Sequence, residues 1–184
     1  DRNYLEFISG EITTRLSQSC RSLNFFTADQ LNDPDVDPFL REMYLLHRGN
    51  PSNLFIKAMS ESIGDLGPFN PENIDEGRYG MLCCLPIIPF EGKEALKAKE
   101  LIYEVCADYD LIPAVTFNPM NDLYLEAVIN IYFDRANEKE ISMAHECNQK
   151  LHDRLYKDGF RFYRLDIEMM KKYIDPESPF WKTV

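Results

Sequence analysis

The second half of the chain alternates apolar runs with amphipathic segments, and this pattern predicts its secondary structure. Apolar runs bounded by Gly, Pro or Asn, such as "MLCCLPIIPF" and "AVINIYF", indicate strands. Residues 137–158 instead carry an apolar stripe at helical spacing against charged neighbours: Ile141, Ala144, Cys147, Leu151 and Leu155. The predicted order is strand, helix, strand, strand, helix and strand, over residues 80–88, 92–109, 113–118, 122–133, 137–158 and 161–167.

This order is typical of one fold class. A β-α-β-β-α-β succession is the split-βαβ, ferredoxin-like plan, in which an antiparallel sheet carries two helices on one face. Gly92 and Gly159 mark the ends of elements, and "NPMND" supplies the turn between the two middle strands. The sequence therefore predicts an α+β fold with a ferredoxin-like core.

The first half has a different texture, richer in helices and loops. It predicts a helix over residues 4–20, a loop in "TADQLNDPDVDP", and helices in "PFLREMYLLHRG" and "PSNLFIKAMSESIG". The following segment, "DLGPFNPENIDEGRYG", is dense in glycine and proline, as expected of a boundary or an excursion loop. We therefore expect a helical N-terminal annex over residues 1–76 and the α+β core over residues 77–184.

Charge and cysteine content narrow the class of protein. A net charge of −11 repels phosphate backbones, and no basic cluster offsets it, so neither nucleic acid nor an acidic membrane surface is an expected partner. No run approaches the roughly 18 apolar residues of a membrane-spanning helix. The five cysteines stand at irregular spacing, at positions 20, 83, 84, 106 and 147. They indicate buried thiols in a reducing compartment, which favours the cytoplasm. The N-terminus reveals no targeting signal.

Self-contained catalytic motifs are missing from the sequence. It has no glycine-rich phosphate loop, no nucleophile elbow and no CxxC pair. His145 and His152 lie two helical turns apart without a third ligand nearby, so we interpret them as ordinary, partly exposed histidines and predict no metal site. What remains is "KDGFRFYRLDIEMM", where Tyr163 and Arg164 stand side by side in a predicted strand. An edge charge beside a half-buried aromatic is the ordinary interpretation of such a pair.

An ordered set of short features gives the pair a second interpretation. The chain has a strand ending in proline with a glycine six residues on, then a Thr-Phe strand, a Phe-Asp-Arg strand end and a Gly-x-x-x-Tyr-Arg element. In order and nearly in spacing, these resemble the cap, or substrate-binding, domain of the vanillyl-alcohol oxidase and p-cresol methylhydroxylase family of FAD-linked oxidases. The residues that carry the resemblance span about 90 positions: Pro86, Gly92, Thr116, Phe117, Phe133, Asp134, Arg135, Gly159, Tyr163 and Arg164.

The resemblance implies a role for each of four residues. In that family the Tyr-Arg pair lies over the flavin and holds the phenol oxygen, so Tyr163 and Arg164 would bind a phenolate. Electron density in the ring would then let the carbon attached at the para position lose hydride to FAD, leaving a quinone methide. Thr116 matches a pocket threonine, although a β-branched strand residue needs no such role. Cys83 falls where relatives often place an aromatic, and its smaller side chain would widen the pocket.

The cofactor position departs from the family pattern. Oxidase members carry a flavin-linking histidine five residues before the strand proline, and here that position is Met81. A histidyl link there is excluded, while Tyr79, the nearest residue able to form a link, leaves tyrosyl or non-covalent FAD open. The departure therefore favours dehydrogenation or hydroxylation with another electron acceptor over oxidase activity that uses oxygen directly.

The resemblance also implies that more protein is needed. Family members carry an FAD-binding domain of more than 200 residues that has no counterpart here, so the sequence is interpreted as a piece of a larger enzyme, inactive alone. Its expected partners are a small phenolic substrate, the FAD-binding domain of the same polypeptide and, through the first part of the cap, a second copy in a homo-oligomer. The alternative interpretation is a free-standing ferredoxin-like module that binds a protein or small ligand without catalysis.

Overall fold

The computed structural model describes residues 2–50, 62–67, 73, 76–175 and 177. The chain divides into two compact units, Asp1–Leu54 and Phe55–Val184. The division falls earlier in the chain than residue 76, and the domain boundary predicted there stays a prediction.

The first unit is helical where it is described. Its helices are α1 (Arg2–Leu16), α2 (Ala28–Leu31) and α3 (Pro38–His47). Helix α1 ends four residues before the predicted limit at residue 20. Thr27 and Gln30 form a capping box at the start of α2, and the Asp37 carboxylate caps α3 by accepting from the Phe39 N–H. Most of the helix predicted in "PSNLFIKAMSESIG", residues 51–61, lies outside the described residues.

The second unit contains a four-stranded sheet and three described helices. Its strands form the order β2-β3-β1-β4, and every neighbouring pair is antiparallel. This arrangement confirms the predicted ferredoxin-like plan. The elements are β1 (Tyr79–Pro89), α4 (Gly92–Ala107), β2 (Ala114–Pro119), β3 (Tyr124–Asp134), α5 (Glu138–Lys157), β4 (Arg161–Arg164) and α6 (Ile167–Tyr173).

The core lies between one face of the sheet and helices α4 and α5. Alternate residues of the two central strands point into it, as a period of two requires. Three thiols are among its buried side chains, and all five cysteines are free. The most deeply buried members of this core are Cys84, Ile88, Ala98, Ile102, Cys106, Ala127, Ile129, Ile131, Ala144, Cys147, Leu151 and Leu155.

A close approach and an ion pair fix the end of the sheet that carries the Phe-Asp-Arg element. The Phe133 ring lies over Gly80, where a Cβ would come within 2.5 Å of it, so only glycine fits. Asp134 binds the Arg78 guanidinium through both carboxylate oxygens and also accepts the Ala136 N–H. Those hydrogen bonds lower the pKa of Asp134. In the described structure, two residues of this element therefore position the turn from β3 to α5.

The prediction that the last strand reaches residue 167 was wrong. Strand β4 ends at Arg164, because Asp166 starts a helix: its carboxylate accepts the Met169 N–H at 2.7 Å. The apolar pattern continues through Leu165 and Ile167, but the cap redirects the backbone.

The prediction of a partly exposed His152 was also wrong. The residue is 1% exposed, and its Nδ1 lies 2.8 Å from the Asn148 carbonyl oxygen. Rings of Phe162 and Tyr173 cover it at 4.7 and 6.2 Å between centroids. Helix α6 supplies Tyr173, so the unexpected helix also explains the burial. Burial lowers the pKa of His152, which favours the neutral ring. His145 is exposed, as predicted.

None of the helices in the described part of the chain is both long and apolar enough to cross a membrane.

Truncation of the core at Ile129 should destabilise the second unit. The side chain is fully buried in the middle of β3, so Ile129→Ala is expected to lower the free energy of unfolding by about 2–5 kcal/mol. Ile112→Ala makes the same truncation at a residue that is 83% exposed, and should change stability by less than about 0.5 kcal/mol. Denaturant titrations of both variants measure the difference, and equal losses would contradict the assigned core.

Candidate functional site

The face of the sheet opposite helices α4 and α5 carries the predicted site residues except Tyr79. Even-numbered residues of β1 point into the core, since Cys84 and Ile88 are fully buried there. Odd-numbered residues of β1 therefore point the other way, and the strand pairing extends this assignment across the sheet. We call this surface the open sheet face; it comprises Met81, Cys83, Leu85, Ile87, Thr116, Glu126, Val128, Asn130, Tyr132, Tyr163 and Arg164.

An irregularity in the pairing of β1 with β4 places both residues of the Tyr-Arg pair on this face. Leu85 pairs with Arg164, but Pro86 pairs with Phe162, so one step along β1 matches two steps along β4. Tyr163 is the extra residue of a β-bulge. Pro86 lacks an N–H, which is tolerated within a sheet at such irregularities.

The surroundings of three successive residues confirm this geometry. Phe162 packs on the core side against His152. Tyr163 lies near Glu126, whose strand neighbours point into the core, and Arg164 pairs with Leu85. In a regular strand, Tyr163 and Arg164 would point to opposite faces. The bulge removes that alternation.

Tyr163 lies in an environment that keeps its hydroxyl protonated. Partial burial and the neighbouring Glu126 carboxylate together raise the pKa of Tyr163 to about 12, against a smaller opposing effect of Arg164. The hydroxyl is therefore a neutral hydrogen-bond donor at neutral pH. At 39% exposure the ring is still accessible from the open side.

Cys83 belongs to a small hydrogen-bonded group beside the pair. Its thiol donates to Asn130 Oδ1 at 3.2 Å, and Asn130 lies near the Tyr132 hydroxyl. Burial raises the pKa of the Cys83 thiol, so it is a neutral, small side chain rather than a thiolate. The hydrogen bond between Cys83 and Asn130 therefore holds these two polar side chains in place at the centre of the open sheet face.

Thr116 lies across the width of the sheet from Arg164. It pairs with Val128 on β3, and the continuing register of β1 and β3 places Val128 beside Leu85, which pairs with Arg164. Three strand spacings of about 4.8 Å put these backbones roughly 14 Å apart. Thr116 and Arg164 thus lie at opposite ends of one row of residues across the sheet, with Val128 and Leu85 between them.

Met81 and Tyr79, the predicted cofactor contacts, lie further along β1. Met81 is 45% exposed on the open sheet face. The Tyr79 hydroxyl is buried and accepts the Leu66 N–H at 3.0 Å, while its ring packs with Tyr132. Six residues at about 3.3 Å each separate Tyr79 from Leu85 by roughly 20 Å. The structure therefore does not bring Tyr79 together with Tyr163 and Arg164.

Sequence reasoning missed two polar residues of this face, Glu126 and Asn130. Both stand between apolar neighbours in β3, four residues apart, a spacing that puts them on the same side of a strand. That spacing in the sequence could have indicated that Glu126 and Asn130 lie on one face of the sheet. Among the described residues there is no group of three or more His, Cys, Asp or Glu side chains arranged to hold a metal ion.

Comparisons with known proteins find likeness only at the level of structure. No family model matches the sequence, and no curated protein matches it. Among solved structures, the chain is similar to 4-ethylphenol oxidase from Gulosibacter chungangensis, in complex with isoeugenol, at a TM-score of 0.70 and 16% identity over 89% of the chain. It is also similar to p-cresol methylhydroxylase with substrate bound, at a TM-score of 0.70 and 20% identity over 96% of the chain.

The chain spans only 29% and 31% of the lengths of these two proteins. At such low identities, the likeness establishes a shared fold. The structures confirm, at the level of fold, the resemblance drawn from the sequence to the cap of phenol-oxidising enzymes. The shared fold corresponds to a little under one third of 4-ethylphenol oxidase and to a similar part of p-cresol methylhydroxylase.

Proposed function

We propose that this chain is the substrate-binding cap domain of an FAD-dependent oxidoreductase that oxidises or hydroxylates para-substituted phenols. The observation that carries the proposal is the bulge in β4, which gives Tyr163 and Arg164 a common face with Cys83 and Thr116. The similarity in fold to two proteins named for phenolic compounds supports it. The catalytic base and most FAD contacts would belong to other parts of the enzyme.

Arg164 and Tyr163 have the chemistry that a phenolate site needs. A phenol ionises near pH 10 in water, so its anion must be stabilised to accumulate at neutral pH. The Arg164 guanidinium is permanently charged and offers several N–H donors, and the protonated Tyr163 hydroxyl offers one more. Both interactions favour the anion over the neutral phenol. A para-substituted ring bound in this way would lie along the open sheet face towards Thr116.

The open sheet face suits the ring end of a flavin better than its phosphate end. Met81 and Cys83 present neutral, weakly polar side chains there, and the Glu126 carboxylate on the same face opposes a diphosphate group. When bound, FAD supplies the two-electron acceptor for hydride from the substrate. The residues of this chain would orient the phenol oxygen, shape the pocket and exclude water from the ring.

The Glu126 carboxylate acts on the Tyr163 hydroxyl from across the open sheet face. It would repel a phenolate oxygen bound at that hydroxyl, and the Arg164 guanidinium would offset this repulsion. Tyr163 thus contributes a neutral donor, and Arg164 makes an anion tolerable beside Glu126.

Replacing Glu126 should move the pKa of Tyr163 downwards. In Glu126→Gln the carboxylate charge is lost, so the pKa should fall from about 12 towards the usual value near 10. The raised pKa contributes stability below about pH 10 that is lost as pH rises through 12, and the variant should lose less stability over that interval. NMR titration of tyrosines labelled at Cζ measures the shift. Glu100→Gln, on the exposed side of α4, is the control, and an equal change there would contradict the assignment.

Removing Arg164 should impair catalysis without removing the cofactor. We expect Arg164→Ala in the intact enzyme to lower kcat/KM for para-substituted phenols by about 10²–10³-fold, as loss of a donor to a developing oxyanion does elsewhere. Flavin content should be unchanged. Arg161→Ala is a matched control, because that guanidinium lies on the same strand but stacks over the Tyr156 ring at 4.3 Å. Full phenol turnover in Arg164→Ala would refute the proposed role.

Acid precipitation of the natural full-length protein should release its flavin. Met81 offers no linking group, and the Tyr79 hydroxyl is buried against the Leu66 N–H, so we expect visible flavin absorption in the supernatant. Absorption that stays with the pellet would contradict this and direct attention to Tyr79. A colourless protein that takes up no added FAD would overturn the enzyme proposal and favour the binding module.

A further inference from the structure

The row of residues that crosses the open sheet face from Arg164 has two different flanks. Its middle is apolar and consists of Leu85 and Val128. One flank carries Glu126, which pairs with Ile87. Side chains of one face repeat every two residues, so Glu126 follows Val128 along β3 at roughly 7 Å to one side of the row. A ring lying along the row would therefore have the Glu126 carboxylate beside one of its edges.

The opposite flank has two polar side chains that are engaged with each other. Cys83 pairs with Asn130 there, and the thiol donates to Asn130 Oδ1 at 3.2 Å. Asn130 is buried, and burial raises the pKa of the Cys83 thiol, so both groups are neutral. The two edges of a bound ring would thus meet different chemistry, a charged acceptor at one and a neutral hydrogen-bonded pair at the other.

Tyr163 brings the bound oxygen close to the Glu126 flank. Strand β1 separates β4 from β3, so two strand spacings of about 4.8 Å lie between the backbones of Tyr163 and Glu126. Two long side chains bridge this span over β1, and the carboxylate accordingly acts on the Tyr163 hydroxyl. A phenol oxygen held by that hydroxyl and by Arg164 would have Glu126 as a near neighbour. A group ortho to the oxygen, on this edge of the ring, would meet the carboxylate.

A carboxylate in this place discriminates between ortho substituents. An ortho hydroxyl can donate to it and form a charge-assisted hydrogen bond. An ortho methoxy group has an acceptor oxygen but no donor, so it gives the carboxylate nothing in exchange for lost water. A phenol without an ortho group likewise leaves the carboxylate without a donor from the substrate.

We propose that the substrates are para-substituted catechols and that Glu126 is the residue that selects them. The first hydroxyl binds as a phenolate at Arg164 and Tyr163, while the second stays protonated and donates to Glu126. The second hydroxyl thereby turns the carboxylate from a group that repels the substrate into one that binds it. This inference rests on the proposed function, because it assumes the phenolate site.

Anaerobic reduction of the flavin in the full-length enzyme tests the proposal with three compounds that share the same para group: 4-ethylcatechol, 4-ethylphenol and 4-ethyl-2-methoxyphenol. Stopped-flow absorption gives the second-order rate constant of reduction, which does not depend on the electron acceptor. We expect 4-ethylcatechol to react about tenfold to hundredfold faster than 4-ethylphenol, as a hydrogen bond to a charged group allows. The methoxy compound should gain nothing over 4-ethylphenol.

Substitutions of Glu126 should change the rates of two substrates in opposite directions. Glu126→Leu removes the acceptor, and Glu126→Gln removes only its charge. Both should slow 4-ethylcatechol, about tenfold or more in Glu126→Leu, and both should speed 4-ethylphenol because the repulsion of its phenolate is lost. A general loss of folding or of flavin would slow both substrates together. Glu100→Gln, on the exposed side of α4, should change neither rate.

The outcomes separate this inference from the proposed function. If none of the three compounds reduces the flavin, the proposed function fails and the inference fails with it. If 4-ethylphenol reduces the flavin but 4-ethylcatechol reacts no faster, the proposed function stands and the selection of catechols is overturned. An advantage of 4-ethylcatechol that survives in Glu126→Leu would overturn the role of Glu126.

Discussion

The β-bulge opposite Leu85 and Pro86 is the constraint on which the candidate site depends. A regular strand alternates its side chains, so it can present only one of two adjacent residues to a given face. With one extra residue in β4, Phe162 still reaches the core while both Tyr163 and Arg164 lie on the open sheet face. Pro86 contributes because it withdraws an N–H from the ladder at the same place. Two donors can then act on one ligand atom without a loop to carry them.

The alternation of the remaining strands separates stability from recognition. Buried residues such as Cys84 and Ile129 fill the space under α4 and α5, and their neighbours Cys83 and Asn130 form the polar centre of the opposite face. Such a sheet can vary one set of side chains with little effect on the other. This division is a reason why one fold supports sites for many different ligands.

Much of the fold could be predicted from the sequence, because periodicity is a local property. The strand and helix order required only the spacing of apolar residues, and the sheet topology followed from that order. The end of β4 could not be predicted in this way, since the apolar pattern runs through Leu165 and only the Asp166 cap redirects the chain. The burial of His152 depends on Tyr173, which arrives through that same helix.

The candidate site shows the same limit. Short motifs indicated Tyr163 and Arg164, and the sequence could also have indicated Glu126 and Asn130 through their spacing in β3. The bulge itself left no signal except Pro86, because it is a property of the pairing between two strands.

An acidic chain can still provide a site for an anion, because charge acts locally at such a site. Exposed carboxylates more than about 8 Å away are largely screened at physiological ionic strength, so the net charge of −11 has little influence on a pocket closed from water. The nearest groups dominate: Glu126 opposes an anion and Arg164 favours it, and Tyr163 adds a donor without adding charge. Removal of water strengthens each of these interactions. If the proposed function holds, closure of the open sheet face by a second domain would do more than cover the substrate, because it would determine how strongly Arg164 stabilises the phenolate.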